Sequence, residues 1–310
     1  SNNCLLTDSV TITEPSAISV TATTIVVSCN GGNDGTATLT LSGGTGPLTA
    51  DWGTANPNAL SAGTHIFTVS DSNNCLLTDS VTITEPSAIT SSFTTIDVDC
   101  YGNNTGSATV IFNGGVIGSA PGDTNYILSW DTLLYILPFP YTTFTTPIGV
   151  PAGIYPYGVT DANGCTHFDT ITIYQPTAIT SSFTTTDVDC YGDSTGSATV
   201  IFNGGVTDYL LSWQNFTYPL LNGANIFITP VGVPAGIYPY GVTDSNSCTH
   251  FDTITIYQPT ELTYSDTSTN VSVCGVTDGT INFTVNGGIP PYNYAWNNGD
   301  TTANISNLSA

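Results

Sequence analysis

Residues 1–18 (SNNCLLTDSVTITEPSAI) return unchanged at 72–89. A chain assembled from copies of one module closes many small cores instead of one large core, and its stability adds from module to module. The repetition extends further. Ile89–Val116 and Ile179–Val206 agree at 25 of 28 positions, and Val150–Thr177 and Val233–Thr260 at 26 of 28. The chain therefore reads as five pieces. Residues 1–17 are the C-terminal strand of a preceding repeat, 18–88 is a repeat, 89–178 and 179–261 are repeats with an insert, and 262–310 is a truncated repeat. Leu308-Ser309-Ala310 match the mid-repeat Leu60-Ser61-Ala62, so the sequence reads as an excerpt from a longer array.

Each repeat carries strand signals. After Gly35, Gly106, Gly196 and Gly279 comes a period-2 apolar run, such as Ala108/Val110/Phe112 or Ile281/Phe283/Val285. Alternation of this kind predicts half-buried strands. A Gly-Gly turn follows, then an alternating strand ending at Trp52, Trp130, Trp213 or Trp296. Later strands carry His65/Phe67/Val69, Tyr155/Tyr157/Val159 and Tyr238/Tyr240/Val242 on one face, and a final strand opens at a cysteine and closes at Pro15, Pro86, Pro176 or Pro259. No segment has a helical period. The pattern predicts an all-β chain of tandem β-sandwiches. Pro156 and Pro239 fall inside a predicted strand and demand an edge or a bulge there. The inserts, within 131–149 and 214–232, read as an added hairpin, with Asn222-Gly223 as its turn.

The chain contains no lysine and no arginine, against 23 Asp and Glu, for a formal charge of −23. Schiff-base chemistry and arginine clamps are excluded. Nucleic-acid binding is excluded as well, since no side chain can displace phosphate counterions. The longest apolar stretch, near 133–144, is broken by prolines and is too short for a membrane span. Hydrophobic residues at 40% suffice for packed cores.

The order of motifs resembles a known repeat. Gly287-Gly288-Ile289-Pro290-Pro291-Tyr292-Asn293-Tyr294-Ala295-Trp296 carries the first half, and Ala152-Gly153-Ile154-Tyr155 through Asp161-Ala162-Asn163-Gly164-Cys165 carries the second. This is similar to the SprB-type repeat of giant gliding-motility adhesins of the Bacteroidota, and the strand order resembles immunoglobulin-like (PKD-like) folds. The first repeat departs from the pattern, with Leu48, Ala50 and His65 in place of tyrosines. The resemblance implies an elongated rod, type IX export, display on the outer cell surface, contact with the outer-membrane motility and secretion machinery, and a role in attachment and gliding.

Eight cysteines fall two per repeat, with no C-x-x-C spacing, and in an exported chain they read as disulfides. Two pairings compete. Within repeats the bonds would be Cys29–Cys75, Cys100–Cys165 and Cys190–Cys248. Between neighbouring cysteines they would be Cys4–Cys29, Cys75–Cys100, Cys165–Cys190 and Cys248–Cys274. Loop entropy does not separate them. Four strand-sized pieces between Cys29 and Cys75 would put both at one end of the sandwich, which favours pairing within the repeat.

Other residues have a chemical and a plain reading. The tryptophans read as core residues before sugar platforms. His167 and His250 lack an accompanying nucleophile pattern, so catalysis is not expected. Asp71, Asp161 and Asp244 before the last turn, and Asp97, Asp99, Asp187 and Asp189 beside a cysteine, are weak Ca²⁺ candidates, since Asp also stabilises turns by binding local N–H groups; no cofactor is otherwise expected. Asp-Ser/Thr-aliphatic triplets at Ser9, Ser80, Thr132, Thr170 and Thr253 are similar to the O-glycosylation acceptor motif of exported Bacteroidota proteins. Tyr135, Phe139, Tyr141 and Phe144 in the second repeat's insert could form a ligand face for surface polysaccharide or a contact between repeats or chains, with local extension of the core as the plain reading. The expected function is a non-enzymatic stalk whose partners are neighbouring repeats of one long chain. A glycan-binding module built on the inserts is the alternative.

Overall fold

The computed structural model describes residues 4–147, 149–230 and 232–310, and these contain β-strands and no helix. The first repeat has β1 (Ser19–Ile25), β2 (Thr36–Ser42), β3 (Thr49–Asp51), β4 (Gly63–Ser70) and β5 (Leu76–Ile83). The second has β6 (Thr90–Ile96), β7 (Ser107–Asn113), β8 (Thr124–Trp130), β9 (Leu133–Pro138), β10 (Thr143–Thr145), β11 (Gly153–Asp161) and β12 (Thr166–Ile173). The third repeats that order as β13 (Thr180–Thr186), β14 (Ser197–Asn203), β15 (Tyr209–Trp213), β16 (Phe216–Leu220), β17 (Ile226–Ile228), β18 (Gly236–Thr243) and β19 (Thr249–Ile256). The last piece has β20 (Thr263–Thr269), β21 (Gly279–Asn286) and β22 (Asn304–Leu308).

Every described pairing is antiparallel. The second repeat stacks the sheet β10-β7-β6 on β12-β11-β8-β9, and the third stacks β13-β14-β17 on β16-β15-β18-β19. The first repeat is the smaller version, β1-β2 over β3-β4-β5. The alternating residues fill the space between the sheets. In the third repeat Ala198, Val200 and Phe202 from one sheet meet Tyr209, Leu211, Trp213, Tyr240, Val242, Ile254 and Ile256 from the other. Trp130 and Trp213 are buried, and each stacks on a tyrosine of the neighbouring strand, Tyr155 at 5.5 Å and Tyr238 at 5.4 Å between ring centroids. The aromatic pairs add to the area they bury.

Four expectations are corrected. The insert is not a hairpin: β9 joins the sheet of β8, whereas β10 joins the facing sheet beside β7. The insert crosses between layers and widens both by one strand. Asn222 and Gly223 do adopt left-handed conformations (φ 58° and 76°), but the turn they make links different sheets. The strands β1, β6, β13 and β20 were not signalled by apolar alternation, because they are rich in Ser and Thr and mostly exposed. Residues 4–17, expected as a final strand, form none and are exposed throughout. Residues 292–296 form no strand either, although the matching residues 209–213 are β15.

Pro156 lies in the middle of β11, a strand flanked on both sides. It is tolerated because β8 ends at Trp130, opposite Tyr157, so β11 has only β12 beside it at Pro156. Pro239 of β18 repeats this arrangement.

The chain forms two compact bodies, residues 1–97 with 106–173 and residues 98–105 with 174–310. The first holds the first repeat and the second repeat's sandwich. The second holds the third repeat, the last piece and the loop 98–105.

Candidate functional site at the repeat junctions

Strand direction decides where the cysteines fall. Between Cys29 and Cys75 the chain runs through three strands, β2 to β4, and between Cys100 and Cys165 through five, β7 to β11. An odd number puts the two cysteines of a repeat at opposite ends of its sandwich. The first cysteine follows β1 or β6 and sits where the last strand leaves for the next repeat. The second opens the last strand and sits at the entry end.

The first-cysteine loop is fastened to that exit. Val27 donates its N–H to the carbonyl of Thr84 at 3.0 Å, and Asn30 Nδ2 donates to the carbonyl of Pro86 at 3.1 Å. In the second body, Val98 N donates to Tyr174 O at 2.9 Å and Gly102 N to the Gln175 side-chain carbonyl at 2.8 Å. An aspartate closes each loop. Asp34 accepts from Ser28, and Asp99 from Thr105 Oγ1 at 2.7 Å and Asn103 Nδ2 at 3.1 Å. The Ser28 hydroxyl holds the Asp34 carboxyl below its ordinary range, and the Thr105 hydroxyl does the same for Asp99.

The second-cysteine turn is Asp-x-Asn-x-Cys. Asp161 Oδ1 accepts the N–H groups of Asn163 and Cys165, both at 2.9 Å, and Oδ2 accepts that of Val116 at 2.7 Å. Asp71 and Asp244 are bonded alike. The N–H of Thr45, followed by that of Cys75, holds the Asp71 carboxyl below its ordinary range. Three backbone donors thus balance each carboxylate in a chain that has no lysine or arginine.

The two elements meet across repeats. Cys29 bonds Cys165 and Cys100 bonds Cys248, with Cα atoms 5.6 and 5.5 Å apart, inside the usual range. Beside each bond the turn asparagine reaches back: Asn163 Nδ2 donates to the carbonyl of Ser28, and Asn246 Nδ2 to that of Asp99, both at 3.1 Å. The pairing rule is therefore first cysteine of one repeat with second cysteine of the next. This corrects both sequence pairings. Cys29–Cys75, Cys100–Cys165 and Cys190–Cys248 would each have to span a sandwich end to end, and the neighbour pairs such as Cys75–Cys100 join the wrong ends. Three strands, not four, separate Cys29 from Cys75. Cys4, Cys75, Cys190 and Cys274 are unpaired and exposed.

The remaining candidates separate. Among the described residues no three His, Cys, Asp or Glu side chains group as a metal site. Asp187 accepts the N–H of Tyr257 at 3.0 Å, Asp189 borders the third first-cysteine loop, and Asp97 lies just before Cys100. Ser9, Ser80, Thr132, Thr170 and Thr253 are all exposed, and the aspartate before Ser9, Ser80, Thr170 and Thr253 caps that residue's own N–H. The aromatic insert does not form one face. Phe144 is buried and packs on Tyr135 at 4.6 Å and Trp130 at 6.1 Å, Phe139 is half-buried, and Tyr141 is exposed.

One polar network was not foreseen. The Ser91 hydroxyl lies 3.1 Å from His167 Nε2 and 3.4 Å from Asp169 Oδ2, and accepts the Tyr157 hydroxyl at 2.7 Å. Ser181, His250, Asp252 and Tyr240 reproduce it. It ties β6 to β12 across the sandwich edge. The first repeat has Val20, Phe67 and Leu77 at the positions of Ser91, Tyr157 and His167. Three of the four members are exchanged together for apolar residues, while Asp169 has Asp79 at its position. The sequence signal was that joint exchange.

The SprB repeat family model matches residues 18–54, 182–225 and 265–301. No curated protein matches the chain. Among solved structures it is similar to three N-terminal domains of the bacteriophage RB49 Highly Immunogenic Outer Capsid protein, at 16% identity and TM-score 0.34 over 66% of this chain and 71% of that one. It is also similar to the eight N-terminal Ig domains of the Down Syndrome Cell Adhesion Molecule, at 11% identity and TM-score 0.30 over 88% and 52%. Three stretches of this chain match the SprB repeat, and its repeats fold as tandem antiparallel β-sandwiches.

Proposed function

We propose that this chain is a force-transmitting stalk segment of an exported cell-surface adhesin, of the kind that supports attachment and gliding. The SprB-type repeats suggest the surface adhesin. The observation that most directly supports a mechanical role is the recurrence of the bond from the first-cysteine loop of one repeat to the second-cysteine turn of the next. Pulled between Ser19 and Ile173, the chain carries tension through β1, the Cys29–Cys165 bond and β12. The 136 residues bridged by that bond are withheld from extension. At about 3.3–3.6 Å per residue this is roughly 450–490 Å of chain. Single-molecule stretching of the full chain between those handles tests the reading. Added reductant should lengthen the extended chain by that amount, and an equal contour length with and without reductant would overturn it. The charge of −23 is spread over all repeats, and its self-repulsion would keep neighbouring stalks apart, less so at high salt.

One observation favours a second reading, glycan binding, at a site other than the insert. Phe168 is 75% exposed and lies over Gly158, in a shallow groove with Ser129, Asp131, Pro156 and Thr170. Phe251 over Gly241 repeats it. Glycan-array binding that disappears in a Phe168→Ala/Phe251→Ala variant would support this role, and no binding by the parent chain would remove it.

A further inference from the structure

The piece 262–310 holds the first half of a repeat. In the first three repeats, the sheet built from that half is covered by a second-half hairpin: β4–β5, β11–β12 or β18–β19. In the third repeat this cover leaves Ala198, Val200 and Phe202 of β14 buried. At the matching positions of β21, Ile281, Phe283 and Val285 remain only half-buried. Phe283, Val285, Tyr264 and Tyr294 line an open groove of about 800 Å³. The same groove is bordered by Asp189 and Cys190.

Cys190 is the third first-cysteine. Its loop is built like the two that are bonded: Gly192 N donates to the Gln258 side-chain carbonyl at 2.9 Å, as Gly102 does to Gln175, and Val188 N donates to Tyr257 O at 2.9 Å, as Val98 does to Tyr174. Cys29 and Cys100 in the equivalent loops are both bonded to the cysteine of a second-half turn. Core-type side chains left open and a thiol at the bonding position thus point to the same occupant.

We propose that this groove is the receptor for a second-half hairpin of the SprB-type repeat, and that Cys190 forms a disulfide with the hairpin's turn cysteine. The hairpin is a Gly-Ile-Tyr-x-Tyr-x-Val strand, an Asp-x-Asn-x-Cys turn and a Thr-Ile-Thr-Ile strand, as in residues 236–256. Its tyrosine, valine and isoleucines cover Phe283 and Val285, and its turn asparagine donates to the carbonyl of Asp189. The bond forms by thiol–disulfide exchange with a turn cysteine carried as its mixed disulfide with glutathione. The Cys190 thiolate attacks the turn-cysteine sulfur, the new S–S bond forms, and glutathione leaves as its thiolate. Docking does not require that the array carry force.

The test uses the full chain and a synthetic peptide of residues 233–260, with its cysteine, equivalent to Cys248, as the glutathione mixed disulfide. The expected result is one peptide per chain, attached at Cys190 at least ten times faster than at Cys4, Cys75 or Cys274, by non-reducing peptide mapping. Amides of 280–286 and 292–296 should gain protection from hydrogen exchange at the same time. A Cys190→Ser chain should lose the attachment and keep the gain in protection when peptide is in excess. Equal labelling of all four exposed cysteines, or attachment at Cys190 with no new protection, would overturn the proposal.

Discussion

Residues 1–18 and 72–89 have one sequence and two outcomes. In the second copy, Leu76–Ile83 is β5, paired along its length with β4, and Val81 and Ile83 are 6% and 2% exposed. In the first copy, Val10 and Ile12 are 86% and 93% exposed and no strand forms. Local propensity is identical, so the partner makes the difference. β5 has β4 beside it and the first repeat's core beneath it, whereas residues 4–17 have neither among the described residues. Tyr209–Trp213 and residues 292–296 teach the same lesson, since β15 pairs with β18 and the last piece has no such strand. The strands that pair directly with the second-half hairpin form only beside it, whereas the sheet of β20, β21 and β22 forms without it. This agrees with the general weakness of isolated β-propensity.

The comparison can be broken most forcefully by making one substitution in both copies. Ile83→Ala empties part of a closed core and should cost about 2–5 kcal/mol, whereas Ile12→Ala should stay within about 0.5 kcal/mol, both read from calorimetric melts. Equal effects would mean that residues 4–17 dock as β5 does. A smaller effect separates the edge network from the core. Tyr157→Phe or His167→Leu alone removes one of the partners of Ser91 and should cost about 0.5–1.5 kcal/mol. The triple exchange Ser91→Val, Tyr157→Phe, His167→Leu, which installs the first repeat's residues, should cost less than the sum of its parts, tested by a mutant cycle on melting. The smallest effect is that of acid. The carboxyls of Asp34, Asp71, Asp99 and Asp278 are held below their ordinary range by hydrogen bonds in the folded loops. A lowered folded value stabilises above the unfolded value of about 3.9, and that stabilisation is lost as pH falls below it. The melting temperature should therefore drop below pH of about 4, whereas amides of residues 4–17 should show no pH-dependent change in protection.

Much of the fold was legible because the repeats state it four times. Alternation at Ala108/Val110/Phe112 and Tyr126/Leu128/Trp130 located strands whose faces are buried as expected. The strands β1, β6, β13 and β20 were hidden by their Ser and Thr content, since they present little apolar surface and are held by pairing with the next strand. The disulfides were hidden by strand parity: three strands, not four, lie between Cys29 and Cys75, and residues 53–62 contribute only a single bridge, Gly35 to Leu60. The junction did leave a trace in Asn73, Asn163 and Asn246, each two residues before a cysteine. A turn alone would need the Asp, and the added Asn marks the contact with the preceding repeat. No local pattern could show that residues 4–17 stay open, because their letters are those of β5.

Hydrogen exchange on the intact chain tests the role of the hairpin most directly, by comparing the amides of 7–12 with those of 78–83. These are the same six residues in the same order. Strong protection at 78–83 with exchange at unfolded rates at 7–12 is the predicted result. Equal protection of the two copies would contradict it.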